Sequence, residues 1–196
     1  MPDSLPPLLL ASSSPARRQL LERLGLPFHC ASPDIDEARH PGEPVEALVL
    51  RLSEAKARAL ATAWPDHLVI GSDQALALDG DILGKPGTAA RAREQLARLS
   101  GREVTFQTGL CLLNTRTGRC QLAREEYSVR FRDLDPAAIA RYVERDQPLG
   151  CAGSFKAEGL GITLFHGFAG RDPNSLIGLP LITLVDFLQA EGFSLP

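Results

Sequence analysis

The chain lacks any apolar run approaching the roughly 18 residues that a membrane-spanning helix needs. Its first residues, MPDSLPPLLLAS, have neither the basic start nor the long apolar stretch of a secretory leader. None of its four cysteines (Cys30, Cys111, Cys120 and Cys151) belongs to a CxxC pair, and a chain of this size does not need staples; reduced thiols in a cytoplasm are the expectation. His29, His40, His67 and His166 form no HExxH motif and no Cys/His cluster, which argues against zinc. A metal, if used, would be a hard ion on carboxylates, such as magnesium. The formal net charge is −3 and no long run carries one sign, so neither a nucleic acid nor an acidic membrane surface is an expected partner. Internal repeats and low-complexity linkers are absent too.

With 196 residues, 44% of them hydrophobic, the chain can build one large domain or two small lobes sharing a cleft. The stretch Leu68–Leu78, LVIGSDQALAL, is apolar on both faces at both ends, as in a strand buried on both sides. Ser72, Asp73 and Gln74 interrupt it. Either the strand ends there and SDQ turns the chain, or a carboxylate sits in a buried strand, which demands a partner.

Leu8–Ala11 predicts a short buried strand. Ser12, Ser13 and Ser14 offer caps and Pro15 opens a helix to about Leu24, stopped by Gly25. Its apolar stripe is Leu20, Leu21 and Leu24, and Arg17 falls inside that stripe. Free N–H groups, three hydroxyls and an arginine at one helix start suit an anion, though Arg17 can equally fold over its own helix. Phe28–Ala31 predicts a second strand. Asp34, Asp36 and Glu37 follow, either as a solvated turn or as oxygen ligands for a divalent cation. A long helix runs from Pro44 to about Trp64, with Val45, Leu48, Val49, Leu52, Ala59 and Ala63 on one face. Lys56 lies on that face and either snorkels out or reaches a buried anion. Glu54 and Arg58 can pair at i,i+4.

Asp79-Gly80-Asp81 signals a tight turn. Lys85 follows in Gly84-Lys85-Pro86, which is not a P-loop, because Pro86 stands where a hydroxyl is required. A helix is predicted at Ala89–Ser100, then strands at Val104–Leu113 and Cys120–Phe131 joined as a hairpin, then a helix from Pro136 to about Arg145. The loop Cys151–Gly161 contains three glycines, Lys156 and Glu158. It fits a ligand approaching the backbone closely, or an ordinary surface loop. Ile162–Phe165 predicts a strand, residues 170–174 a turn, and Pro180–Ala190 a core helix.

Arg17 and Lys56 on apolar helix faces, Asp73 in a buried strand and Lys85 nearby each break local patterning. One shared polar cleft would satisfy all four. Clustered cations neutralise a polyphosphate, and a carboxylate beside them holds magnesium or takes a proton from attacking water. No serine or cysteine has the surroundings of a nucleophile, so direct attack by water is the simpler chemistry.

The segments LASSSPARRQLL, RLSEAKA, GSDQ, GKP and CAGSFKAEGLGITLF, in this order, resemble the Maf family of nucleotide pyrophosphatases, over about Leu8 to Leu188. The resemblance implies an α/β fold, an elongated mixed sheet with helices and two lobes around a central cleft, as a single domain over residues 1–196, often a homodimer. It implies a cytoplasmic hydrolase that uses a divalent metal (magnesium, with manganese or cobalt as other fits) to split a nucleoside triphosphate into a monophosphate and pyrophosphate. Asp73 would accept the proton and, with Glu37, hold the metal. Lys56 and Lys85 would bind phosphate with Ser12 and Arg17, and Lys156 is grouped with the substrate-binding residues.

Within the family, GSDQ with SFKAEG resembles the branch acting on 7-methyl-GTP. Gln74 and Glu158 would set base specificity, Glu158 accepting from the N1–H and 2-amino edge of guanine. Similar members can carry tryptophan where this chain has Ala16, so stacking on the cationic base is missing. A pyrophosphatase preferring dTTP, UTP or CTP is the alternative enzyme. A nucleotide sensor linked with septum formation is the alternative outside catalysis.

Overall fold

In the computed structural model, which describes residues 5–196, one seven-stranded mixed sheet carries six helices. Residues 1–4, where the span 1–196 and the stretch judged a poor leader begin, lie outside the described residues. Among the described residues no helix is long and apolar enough to cross a membrane.

Strand β1 (Leu8–Ala11) runs parallel to β2 (Phe28–Ala31) on one side and to β3 (Leu68–Leu78) on the other. Antiparallel pairing then continues from β3 through β5 (Glu103–Asn114) and β6 (Cys120–Phe131) to β7 (Phe165–Gly170). The short β4 (Asp81–Leu83) folds back on the end of β3. Asp79 and Gly80 both have left-handed backbones (φ 54° and 88°), the geometry of two-residue hairpins whose twist matches the strands.

This pairing leaves a gap. On the edge of β3 away from β5, β1 covers residues 68–70 and β4 covers residues 76–78. Between them, residues 71–75 have a strand neighbour on one side only. Ser72, Asp73 and Gln74 lie in that gap, so SDQ stays within the strand and is not a turn.

Apolar side chains fix the surroundings. At one end α1 (Pro15–Glu22) and α6 (Leu181–Ala190) close Leu20, Leu21, Leu184 and Leu188 over Leu8, Leu10, Leu68 and Ile70. At the other, α3 (Ala89–Leu99) and α4 (Pro136–Asp146) pack on Phe106, Phe131, Phe155 and Phe165. Phe155 meets the other three rings edge-on at centroid distances of 4.9–5.7 Å. Each such pair adds roughly 1 kcal/mol to what burial of the rings contributes.

Helix α2 (Val45–Ala59) crosses the sheet at unusually close range. A Cβ on Gly71 would come 2.1 Å from the Ser53 carbonyl, and one on Gly109 would come 2.2 Å from the Val49 carbonyl. These two glycines, on β3 and β5, let the α2 backbone rest on the sheet. They set the depth at which Lys56 enters it.

Three predicted elements differ from the fold. Helix α2 stops at Ala59, because Leu60 and Ala61 already bond three residues back, to the Ala57 and Arg58 carbonyls. Ala59 and Ala63 are exposed, and Ser53 and Ala57 complete the buried face. Residues 162–164 are not strand: Leu160–Leu164 is a 3-10 turn, and β7 begins only at Phe165. Gly161 packs against the Lys156 carbonyl, where a Cβ would come within 2.3 Å, so the chain curls before it can pair. Residues 170–174 do more than turn, since Asp172 caps a short helix, α5 (Pro173–Ile177), by accepting the Asn174 N–H at 2.8 Å.

Candidate active site

The gap in the sheet opens into a cleft of about 540 Å³. Arg17, Lys56, Asp73 and Lys85, the four residues that break local patterning, all line it. Ser12, Ala16, Glu37, Gln74 and Glu158 do so as well. Two of these cations have side chains engaged by protein groups. Lys56, only 6% exposed, donates to Asp73 Oδ1 at 2.6 Å and to Glu37 Oε1 at 2.9 Å. Arg17 Nε donates to the Gly178 carbonyl at 2.7 Å, which leaves its terminal nitrogens for a ligand. Lys85 is exposed and has no hydrogen bond or ion pair among the described residues.

Asp73 is 9% exposed, so its charge requires compensation. Lys56 provides it. The Asp73 backbone N–H donates to Ser53 Oγ at 3.0 Å, and Ser53 in turn donates to the Val49 carbonyl at 2.6 Å. Ser53 therefore ties α2 to β3 beside the carboxylate. Sequence patterning missed it, although its place three residues before Lys56 puts it on the same helix face.

Partial burial opposes ionisation of Glu37. The Lys56 hydrogen bond and the charges of Lys56, Lys85 and Arg17 outweigh it and hold the carboxyl below its ordinary range. Burial pulls Arg17 below its ordinary range, and the Asp73 and Glu37 charges counter that pull; a guanidinium stays cationic throughout. Burial, and then the Glu158 charge, push the cleft thiol of Cys151 up, so it stays protonated and is no nucleophile.

Ser12 Oγ accepts the Ser14 N–H at 3.1 Å, and Ser14 caps α1 by accepting from the Arg17 N–H at 3.3 Å. The hydroxyls of Ser12 and Ser14 are thus fixed at the cleft wall, Ser14 by the helix start it caps and Ser12 by the Ser14 N–H. Of the acidic loop, only Glu37 reaches the cleft. Asp36 instead accepts the Ala38 N–H at 2.8 Å, a local turn.

Gln74 is held by α5. Its side-chain NH₂ lies 2.7 Å from the Ser175 carbonyl, 2.9 Å from the Leu176 carbonyl and 3.3 Å from Thr108 Oγ1. Two carbonyl acceptors require the nitrogen there, so the group left for a ligand is the amide oxygen, an acceptor only. Helix α5 was absent from the sequence expectations, yet Leu176 and Ile177 line the cleft.

Lys156 departs from expectation. Its ammonium donates to the Asp146 backbone carbonyl at the end of α4, and it does not line the cleft. A carbonyl at a helix C-terminus carries partial negative charge and attracts the cation away from the loop. Glu158, two residues on, is exposed on the cleft wall with no hydrogen bond or ion pair among the described residues.

Asp73 and Glu37 converge on one cationic centre, the Lys56 ammonium. No cluster of three metal-ligating side chains exists among the described residues. Two carboxylates nonetheless fit magnesium, which takes one or two carboxylates together with substrate phosphates and water.

The family model described as "Maf-like protein" matches residues 7–191 of the chain. A protein of Alcanivorax borkumensis named 7-methyl-GTP pyrophosphatase is 58% identical over 196 residues, covering all of both chains. Proteins of the same name from Pseudomonas aeruginosa and Pseudomonas fluorescens are 59% and 60% identical. The first match covers 98% of this chain and 100% of the relative, the second 97% and 99%.

Proposed function

The chain belongs to the Maf family, and on that premise we propose that it hydrolyses 7-methyl-GTP to 7-methyl-GMP and pyrophosphate. The observation that carries the reading is the buried Lys56–Asp73 pair, joined by the more exposed Glu37, in a cleft that Arg17 and Lys85 also line. The full-length relatives named for this activity support the choice of substrate.

The triphosphate enters the cleft with its negative charge facing Arg17, Lys56 and Lys85. Arg17 and the Ser12 hydroxyl hold phosphate oxygens, and Lys85, free of other partners among the described residues, follows the phosphate chain. Lys56 exchanges part of its contact with the carboxylates for phosphate. The Asp73 carboxylate then accepts a proton from water as the water oxygen bonds to phosphorus. The bond from that phosphorus to the α–β bridging oxygen breaks, and its electron pair departs on the bridging oxygen with the product that keeps it. A divalent cation, magnesium by the donor chemistry, would be held by Asp73, Glu37 and the phosphates, and would neutralise charge that builds on their oxygens.

At the base end, Gln74 Oε1 and Glu158 are both acceptors. The guanine edge offers N–H groups to them, and N7 methylation adds a positive charge that a nearby carboxylate favours. With Ala16 there is no aromatic ring at that position to stack on the base, so discrimination rests on these acceptors. A homodimer with two lobes, located in the cytoplasm, belongs to the same proposal on the strength of the family resemblance.

The test is phosphorus NMR of the reaction with 7-methyl-GTP. The reading requires pyrophosphate and 7-methyl-GMP in equal amounts, and none after chelation of divalent cations. Release of orthophosphate, or no turnover with any divalent cation, contradicts it.

A further inference from the structure

The loop that carries Glu158 is fastened to α4 by groups that lie outside the cleft. Tyr142, buried on the inner face of α4, donates its hydroxyl to Asp146 Oδ2 at 2.7 Å. The same phenolic oxygen accepts the Lys156 backbone N–H at 3.0 Å. The Lys156 ammonium donates to the Asp146 carbonyl, and Asp146 Oδ1 lies 4.0 Å away. The Lys156 carbonyl closes the turn by accepting the Gly159 N–H at 3.2 Å. Gly161 presses on that same carbonyl, and Gly159 faces Asp146 Oδ1. The turn that carries Glu158 is therefore tied to the end of α4 through Lys156, and Glu158 lines the cleft with no hydrogen bond or ion pair among the described residues.

We propose that Tyr142, Asp146 and Lys156 form a latch that positions the Glu158 carboxylate for the base, so that base preference depends on three residues that do not touch the substrate. The inference rests on the nucleotide pyrophosphatase reading given above. A carboxylate on a free loop loses backbone and side-chain conformational entropy when it engages a base, whereas one on a latched turn has lost the backbone share beforehand. The latch thus acts on recognition and leaves proton transfer at Asp73 alone. Burial, with the Asp146 hydrogen bond, pushes the Tyr142 hydroxyl far up, so it donates across the working pH range.

Tyr142→Phe removes both phenolic hydrogen bonds and keeps the ring. Compared with wild type on 7-methyl-GTP and UTP, it is expected to shrink the preference for 7-methyl-GTP about 10-fold. The change falls on KM, with kcat on 7-methyl-GTP within about 2-fold. In a Glu158→Gln background the same substitution should leave the ratio unmoved, since the group it positions is gone. Lys156→Met cuts only the ammonium contact at the surface and should act in the same direction more weakly, which keeps the test open if Tyr142→Phe folds poorly. A Tyr142→Phe protein that loses thermal stability but keeps its base preference overturns the latch. So does an equal loss of preference with and without Glu158. A wild type with no base preference overturns the pyrophosphatase reading at its specificity, and the latch with it.

Discussion

The Lys56 ammonium and the Asp73 carboxylate lie 2.6 Å apart, both almost wholly buried, on two elements that touch through bare glycine backbone. Lys56 is held a second time, by Glu37 at 2.9 Å. The two acids are consequently unequal. Asp73 depends on Lys56 for its neutralising charge, whereas Glu37, with 53% of its side chain exposed, also has water.

Removing one partner of a buried pair leaves the other charge uncompensated, at roughly 3–5 kcal/mol. Lys56→Met strands Asp73 and should lower stability by about 3 kcal/mol. Asp73→Asn leaves Lys56 paired with Glu37 and should change stability by less than about 1 kcal/mol while reducing turnover by at least ~10³-fold. Urea unfolding beside pyrophosphate release separates the two. Equal destabilisation by both substitutions contradicts the asymmetry.

The same bridge fixes a pH dependence. The Glu37 carboxyl titrates below its ordinary 4.5 because Lys56, with Lys85 and Arg17, outweighs its partial burial. A depressed folded value means that the contact contributes stability above 4.5 and loses it as pH falls through the lower folded value. Carbon NMR of the Glu37 carboxyl should show its midpoint rising in Lys56→Met. An unmoved midpoint would mean that Lys56 does not govern it.

Gly71 sets the depth of α2. An added methyl group meets the Ser53 carbonyl at 2.1 Å, and backbone cannot rotate away as a side chain can. Overpacking of this kind costs up to about 3 kcal/mol or more. Gly71→Ala should lower the melting temperature by about 6–12 °C and weaken turnover by shifting Lys56. Calorimetry and activity on the same sample check it. A stable, fully active variant would show that close packing of helix on sheet is dispensable.

Gln74 presents its nitrogen to the Ser175 and Leu176 carbonyls. Gln74→Glu replaces that donor with an acceptor facing two acceptors, a loss of roughly 1–3 kcal/mol. It should raise KM by releasing the wall made by Leu176 and Ile177, and thermal melts should show the loss. A variant with wild-type KM and stability would show that α5 needs no tie to β3.

Four residues of the cleft, Arg17, Lys56, Asp73 and Lys85, were legible because they contradict their surroundings, whereas Ser12, Ala16, Glu37, Gln74 and Glu158 took their expected roles from the family resemblance. Arg17 and Lys56 on apolar stripes and Asp73 in an apolar strand are visible without coordinates. The strands β1, β2, β3 and β6 match their predicted bounds: β1 and the two ends of β3 are apolar runs, and β6 alternates from the turn before it. What escaped depends on contacts distant in sequence. Helix α5 is too short for a periodic signal, and its role appears only when Gln74, about a hundred residues earlier, reaches its carbonyls. Lys156 is expected among the substrate-binding residues, but its ammonium is taken up by the end of α4. Nothing local in GSFKAEG records that competition.

The most direct test of the central claim is initial-rate pyrophosphate release with magnesium from 7-methyl-GTP, GTP, UTP, dTTP and CTP side by side, for wild type and Glu158→Gln. The account predicts that wild type favours 7-methyl-GTP over every pyrimidine by at least about 10²-fold in kcat/KM, and that Glu158→Gln erodes this preference while the protein still turns over. A wild type that favours pyrimidines, or a Glu158→Gln protein with an unchanged profile, would contradict it.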